Sequence, residues 1–258
     1  MKSPFASVCL AVSCVAAQLC AEPTNIAEDD AAHSAYGGSW ESGKSGGSGL
    51  GSWTHTTEGS GENQHSGFFI ASTDTNKDLN GIAKDDKAFG LFANGTGFEQ
   101  AVAYRAFDTP LTVGDSFSFM LETGAFEKKF DKDGSDNGSI GLSLRTGNAN
   151  SAATDYNKGA LFEIGHYQGK HNYQIYDGSD KPDSGVPFTD QGISVTVTLT
   201  GTDSYDLEIQ TMKDKNVIKL PGRKLSASGS IESVAIFNRN SEKHDAYFNQ
   251  FQVSRESQ

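Results

Sequence analysis

The segment from Ile193 to Ile209, ISVTVTLTGTDSYDLEI, alternates strictly between apolar and polar side chains. Period-two alternation is typical of a β-strand with one buried face and one solvated face. The sequence Gly201-Thr202-Asp203-Ser204 between the two runs has the composition of a turn. The segment therefore predicts a β-hairpin that lies on a hydrophobic core.

The same pattern recurs along most of the chain. We predict further strands at residues 68–70, 87–93, 102–107, 115–122, 139–145, 161–167, 172–177, 217–225, 231–238 and 246–253. Glycine is abundant, with 29 residues, proline is scarce, with 6, and no long helical periodicity is present. These features predict an all-β fold, a single antiparallel β-sandwich of the jelly-roll type, over residues 39–258. We expect the last strand to pair back near the first.

Residues 1–21 have the features of an export signal. Lys2 gives a minimal positive start, residues 5–19 form a short apolar run, and Ala17 and Ala21 are small residues near a cleavage position. The run is shorter than the roughly 20 residues that span a membrane. We therefore expect a secreted or cell-surface protein, with lipoprotein processing at Cys14 as the alternative. The predicted signal contains every cysteine of the chain: Cys9, Cys14 and Cys20.

The composition of the remaining chain restricts its partners. Residues 22–38 are polar and acidic, and we expect an exposed lead-in to the domain. The formal net charge is −12, with acidic and basic residues interspersed. This charge favours solubility, and the sequence lacks the Lys/Arg patch that nucleic-acid binding requires.

Two tryptophans, Trp40 and Trp53, bracket a stretch rich in glycine and serine. One interpretation is an irregular first strand whose indoles cover an edge of the core. The other is a tryptophan platform that stacks on a sugar ring, because an indole combines an apolar face with a polar tip.

Residues 161–177, LFEIGHYQGKHNYQIYD, predict a second hairpin that turns at Gly169-Lys170. With a two-residue turn, Glu163 faces Tyr176 and Ile164 faces Ile175. One face of this hairpin is then mostly apolar: Phe162, Ile164, His166, Tyr173 and Ile175. The opposite face is polar and carries two aromatic rings: Glu163, Tyr167, Asn172, Gln174 and Tyr176.

The polar face has the composition of a carbohydrate site. Tyrosine, amide and carboxylate groups can hold hydroxyls while aromatic rings cover the sugar. Its residues are predicted to bind ligand, together with Arg105, Arg145, Trp40 and Trp53. An ordinary solvated sheet surface is the alternative.

Two kinds of catalysis remain open on the same face. Glycoside cleavage needs two carboxylates about 5–10 Å apart, and Glu163 with Glu122 is the candidate pair. A lyase needs a base beside a cation, and the candidate set is Tyr167, Tyr176, Arg105 and Arg145. The sequence contains no nucleophile elbow, P-loop or dinucleotide fingerprint.

A polar loop at residues 130–138 carries Asp131, Asp133 and Asp136 at short spacing, as calcium-binding loops do. The loop lacks the distal glutamate of an EF-hand. A structural Ca²⁺ ion at these aspartates is one interpretation, and an ordinary Asp/Asn/Gly turn is the other. Residues 74–78 show a similar, weaker pattern.

Several motifs together resemble a β-sandwich module of exported bacterial proteins and are similar to lectin-type, concanavalin-like jelly rolls. The motifs are Trp40 to Trp53, Gly67-Phe68-Phe69-Ile70, residues 88–94 (AFGLFAN), Tyr104-Arg105-Ala106-Phe107, residues 111–117 (LTVGDSF) and residues 247–251 (YFNQF). The resemblance covers nearly all of the chain after residue 21. It implies export, a sandwich fold and an association with polysaccharide, and it supplies no catalytic residues.

These observations lead to one functional prediction and two alternatives. We predict a secreted protein that binds polysaccharide without catalysis through one sheet face. The alternatives are a polysaccharide-cleaving enzyme that uses the same face and a structural cell-surface protein.

Overall fold

The computed structural model describes residues 22–59, 65–95, 97–124, 138–147, 158–240 and 244–256. The described chain forms two antiparallel sheets. The eight-stranded sheet contains β1 (Thr24–Asp29), β3 (Ser66–Ser72), β4 (Lys87–Ala93), β6 (Asp115–Thr123), β11 (Ile193–Leu199), β12 (Ser204–Thr211), β13 (Val217–Lys224) and β15 (Ala246–Arg255). The seven-stranded sheet contains β2 (Thr54–Gly59), β5 (Glu99–Leu111), β7 (Ser139–Arg145), β8 (Ala160–Tyr167), β9 (Asn172–Tyr176), β10 (Asp183–Pro187) and β14 (Ile231–Arg239).

The predicted all-β sandwich is confirmed. The order of the eight-stranded sheet is β13-β12-β11-β6-β15-β4-β3, with β1 on β15, and the order of the other sheet is β10-β9-β8-β7-β14-β5-β2. The hairpin of β11 and β12 has the predicted alternation, with Val195 opposite Ile209 and Val197 opposite Leu207. These apolar side chains face the core between the sheets, which also contains Phe119.

The N-terminal segment differs from its prediction. Residues 24–29, expected in an exposed lead-in, form β1 and pair with β15, so that Thr24 lies opposite Arg255 and Asp29 opposite Phe251. Ala27, Asp29 and Tyr36 are buried. The sequence analysis missed this strand because the segment is polar. Its Asp29 can be buried only because a residue distant in the sequence neutralises the carboxylate.

That partner is Arg105 on β5, which forms a buried ion pair with Asp29. Tyr36 donates its hydroxyl hydrogen to the same carboxylate oxygen, Asp29 Oδ2. The guanidinium also donates to the carbonyls of Gly46 and Gly51, at 2.8 and 2.6 Å. Burial raises the pKa of Asp29, and the positive charge of Arg105 opposes that rise. The ion pair therefore fastens β1 and the glycine-rich segment to the core.

The two tryptophans are part of the core, and neither can serve as a sugar platform. Trp40 and Trp53 are 3 % and 1 % exposed, and their ring centres are 5.1 Å apart. Trp53 Nε1 donates to the Tyr36 hydroxyl at 3.1 Å. The chain between the two residues is irregular, as one interpretation expected, and contains only isolated bridges such as Leu50 with Phe107.

The loop between β3 and β4, residues 73–86, covers part of the outer face of the eight-stranded sheet. Its Leu79 and Ile82 are buried against Tyr247. Glu122 on β6 anchors the loop: its carboxylate accepts hydrogen bonds from the backbone N–H groups of residues 80, 81 and 82, at 2.9 to 3.1 Å. Burial raises the pKa of Glu122 to about 6.

Candidate functional site

The hairpin of β8 and β9 has the predicted register. Glu163 lies opposite Tyr176 and Ile164 opposite Ile175. Four residues, 168–171, separate the two strands in place of the predicted two-residue turn. Phe162, Ile164, Tyr173 and Ile175 enter the core, and His166 is buried on the same side. Burial lowers the pKa of His166 to about 4.

The opposite side of this hairpin, here called the hairpin face, consists of Glu163, Tyr167, Asn172, Gln174 and Tyr176. Tyr167 donates its hydroxyl hydrogen to Glu163 Oε1. The rings of Tyr167 and Tyr176 meet edge to face, with their centres 5.0 Å apart. Burial and then the negative charge of Glu163 raise the pKa of Tyr176. The structure therefore brings three of the predicted residues into one group.

Exposure singles out Tyr176 within this group. Its side chain is 45 % exposed, and the other exposed large apolar residues of the described chain are Val113 and Val217. Tyr176 is thus the most exposed phenylalanine, tyrosine or tryptophan of the described chain. Tyr167 supports the ring from the side and is half-buried.

Two facing glycines lie beside the hairpin face. Gly165 on β8 pairs with Gly141 on β7. A Cβ at Gly165 would collide with the backbone carbonyl of Ile140, and a Cβ at Gly141 would lie 2.8 Å from the Phe237 ring. The absence of side chains here lets the two strands approach closely.

The two amides of the hairpin face have internal partners. Asn172 Nδ2 donates to Asp183 Oδ1 at 2.8 Å. Gln174 Nε2 donates to the carbonyl of Asn172 at 2.8 Å, and Gln174 is only 5 % exposed. These side chains therefore stabilise the sheet edge next to β10 and offer less to a ligand than predicted.

The outer face of the seven-stranded sheet continues from the hairpin face to β7, β14 and β5. Ser143 lies opposite Glu163, and beyond it Ala235 and Tyr104 follow in the same row. Tyr104, Ala235 and Phe237 form a small buried cluster with Val102, against which Tyr167 packs. The sequence prediction omitted this cluster. The alternation of Ala235 and Phe237 with the core residues of β14 was the available signal.

The two arginines predicted as ligand contacts lie on opposite sides of the seven-stranded sheet. Arg105 is in the core with Asp29, so its assignment to the site is wrong. Arg145 lies on the outer face, where it donates to Ser143 Oγ at 3.3 Å and to the carbonyl of Lys158. It is fully buried, and its guanidinium carbon is 5.8 Å from the centre of the Tyr104 ring.

The carboxylate pair proposed for glycoside cleavage does not form. Glu163 belongs to the outer face of one sheet, and Glu122 belongs to the outer face of the other, where it binds residues 80–82. Packed sheets are about 10 Å apart, so the whole thickness of the sandwich separates the two carboxylates. A two-carboxylate mechanism needs its groups about 5–10 Å apart on the same side of a ligand.

The predicted calcium ligands Asp131, Asp133 and Asp136 lie outside the described residues. Within the described ranges, no group of three or more His, Cys, Asp or Glu side chains is placed to hold a metal ion. The same part of the chain contains no helix that is long and apolar enough to cross a membrane.

No family model and no curated protein match this chain. Among solved structures, 84 chains are similar to it. One is the carbohydrate recognition domain of Emp47p, with 11 % identity, 78 % of this chain and 91 % of that chain covered, and a TM-score of 0.44. Another is the lectin from Bauhinia forficata in complex with GalNAc, with 12 % identity, 79 % and 99 % covered, and a TM-score of 0.37. A third is the endo-β-1,4-glucuronan lyase from the fungus Trichoderma reesei, with 8 % identity, 78 % and 90 % covered, and a TM-score of 0.44. The likeness concerns the sandwich fold alone.

Proposed function

We propose that this chain is a secreted carbohydrate-binding protein whose ligand lies on the hairpin face. The observation that carries the proposal is the exposed ring of Tyr176, held edge to face by Tyr167 beside the carboxylate of Glu163. An open aromatic ring next to fixed hydrogen-bond acceptors suits a sugar, which has apolar C–H faces and hydroxyl edges. Export follows from the predicted signal in residues 1–21.

The proposed role is binding without bond cleavage. Glu122, the partner that the hydrolytic hypothesis gave to Glu163, binds residues 80–82 on the outer face of the other sheet. Arg105, one of the two arginines in the candidate lyase set, is in the core. The two remaining hypotheses, a polysaccharide-cleaving enzyme and a structural surface protein, therefore become alternative outcomes of the test.

Replacing Tyr176 with alanine should weaken binding to a polysaccharide about ten-fold or more, because the stacking surface is removed. Tyr176→Phe keeps the ring and should stay within about three-fold of the wild type. The measurement is affinity electrophoresis of residues 22–258 through gels that contain soluble polysaccharides, with titration calorimetry on those that retard the protein.

Val217→Ala is the matched control, because Val217 is equally exposed, at 44 %, but lies on β13 of the other sheet. It should bind like the wild type. Equal loss in Tyr176→Ala and Val217→Ala would contradict the site. Release of new reducing or unsaturated ends would show an enzyme, and retardation by no polysaccharide would favour a structural protein.

A further inference from the structure

Glu99 is a buried carboxylate without a partner among the described residues. It is the first residue of β5 and is 0 % exposed. Neither Oε1 nor Oε2 accepts a hydrogen bond from the described part of the chain, and Glu99 has no ion pair within that part. Buried charges in native proteins are normally paired or bound to a metal ion, because an isolated carboxylate loses its hydration without compensation. The carboxylate of Glu99 therefore needs a source of positive charge.

This carboxylate lies between the two sheets, at one end of the core. Glu99 is on the same side of β5 as Ala101 and Ala103, which belong to the core. Its neighbour on β2 is Gly59, where a Cβ would lie 2.8 Å from Oε2 and 2.9 Å from Oε1. A side chain at Gly59 would thus occupy the space that the carboxylate uses. The glycine keeps that space open.

Two asparagines place further polar atoms at this end of the core. Asn238 on β14 is 0 % exposed, and its Nδ2 donates to the carbonyl of Leu91 on the other sheet at 2.9 Å and to that of His244 at 3.3 Å. Asn240 Oδ1 accepts from the backbone N–H of Glu99 at 2.7 Å. Within the described chain, Asn238 Oδ1 and Asn240 Nδ2 are buried without a partner.

Unpaired oxygens therefore predominate among these three side chains. They are Oε1 and Oε2 of Glu99 and Oδ1 of Asn238, against the single nitrogen Nδ2 of Asn240. Asn238 is a diagonal neighbour of Glu99 across the pair of β5 and β14. The Cα atoms of diagonal neighbours are about 7–8 Å apart, which two side chains can bridge through one ion. Oxygen-rich surroundings of this kind favour a hard cation.

We propose that Glu99 is the charged ligand of a Ca²⁺ ion bound at this end of the core. Asn238 Oδ1 is the candidate neutral ligand, and backbone carbonyls and water complete the set. Carboxylate, amide and carbonyl oxygens suit Ca²⁺, whereas zinc and copper prefer imidazole and thiolate. Because only one ligand is charged, we expect weak binding, with a Kd of about 10⁻⁴–10⁻³ M. The site is separate from the hairpin face and does not depend on the proposed function.

Thermal unfolding of residues 22–258 in CaCl₂ and in chelator tests the site. About 10 mM CaCl₂ should raise the Tm by about 3–6 °C relative to chelator, because a ligand that binds only the folded state stabilises it. NaCl at the same ionic strength controls for general screening of the net charge of −12 and should give a much smaller shift. Titration calorimetry with Ca²⁺ alone then measures the Kd.

Three variants connect the Ca²⁺ response to Glu99. Glu99→Gln should abolish the shift, and in chelator it should be at least as stable as the wild type, because the buried charge is gone. Gly59→Ala keeps every proposed ligand but places a Cβ against the carboxylate, and should weaken Ca²⁺ binding about ten-fold. Glu58→Gln removes an exposed acid from the adjacent position on β2 and should keep the wild-type shift.

The aspartates predicted as calcium ligands in the sequence, Asp131, Asp133 and Asp136, are the competing location. A variant with asparagine at all three positions should retain the Ca²⁺ shift. Loss of the shift in this variant, with retention in Glu99→Gln, would overturn the proposal and assign the ion to those aspartates. A wild type that responds to CaCl₂ no more than to NaCl would overturn it as well.

Discussion

Replacing Asp29 with alanine should lower the free energy of unfolding by about 3–5 kcal/mol. The Asp29 and Arg105 side chains are 0 % and 1 % exposed, and the substitution leaves the guanidinium charge buried without its counter-ion. Removal of one partner of a buried ion pair typically has an effect of this size, about 3–5 kcal/mol, because desolvation is no longer compensated. Urea denaturation followed by tryptophan fluorescence measures the change, since Trp53 lies beside Arg105, 5.1 Å from ring centre to guanidinium carbon.

A second variant separates the charge effect from simple loss of packing. Asp29→Ala combined with Arg105→Met removes both charges and should recover part of the lost stability. Lys219→Ala, at an exposed ion pair with Glu208, is the control and should leave the stability nearly unchanged. A loss below about 1 kcal/mol in Asp29→Ala would show that the buried pair does not hold β1 in place.

Replacing Glu122 with alanine should destabilise the protein by about 2–4 kcal/mol and should free the loop of residues 73–86. Its carboxylate accepts from three successive backbone N–H groups, and that of Ile82 is buried. A buried donor left without an acceptor costs about 1–3 kcal/mol. Hydrogen exchange should accelerate at residues 80–82. Ser118→Ala, on the same strand and face, should leave this exchange unchanged.

Glu122 should also make the free energy of unfolding decrease as the pH rises. Because burial raises its pKa from 4.5 to about 6, the folded state holds this proton more tightly than the unfolded state. The associated stability is fully present below about pH 4.5 and is lost as the pH rises through about 6. The free energy of unfolding of the wild type should therefore fall by about 2 kcal/mol as the pH rises from about 4.5 to above 6. Glu122→Gln should not show this fall.

The difference between the two proteins is the quantity to measure. His55 and His166 have pKa values lowered to about 4 by burial, so their contribution has the opposite sign and is lost as the pH falls. Both histidines are present in both proteins and cancel in the difference. A difference that is constant from pH 4 to pH 8 would contradict the assignment to Glu122.

Local patterns in the sequence predicted the two hairpins well. Alternation and turn composition determine which residues face each other within a hairpin, and both depend on neighbours in the sequence. The pairing of Glu163 with Tyr176 followed from this information alone and is confirmed. The Tyr167 and Tyr176 contact then follows from the register.

The same local patterns could not predict ion pairs between residues that are distant in the sequence. Asp29 and Arg105 each look like surface residues, and only their pairing across 76 positions allows both to be buried. Glu122 was predicted as a catalytic partner for the same reason, since nothing near it in sequence indicates that residues 80–82 provide its hydrogen bonds. Burial of Trp40 and Trp53 likewise depends on distant strands.

The pairing of β1 with β15 determines how the molecule responds to mechanical force. Thr24 lies opposite Arg255 in an antiparallel pair, so a force applied at these two residues pulls the strands apart from one end. The hydrogen bonds between them would then break one after another, as in unzipping, and not together, as in shear. A low force applied at residues 24 and 255 should therefore begin to separate β1 from β15. The buried ion pair of Asp29 with Arg105, at the far end of β1, should require a higher force to break.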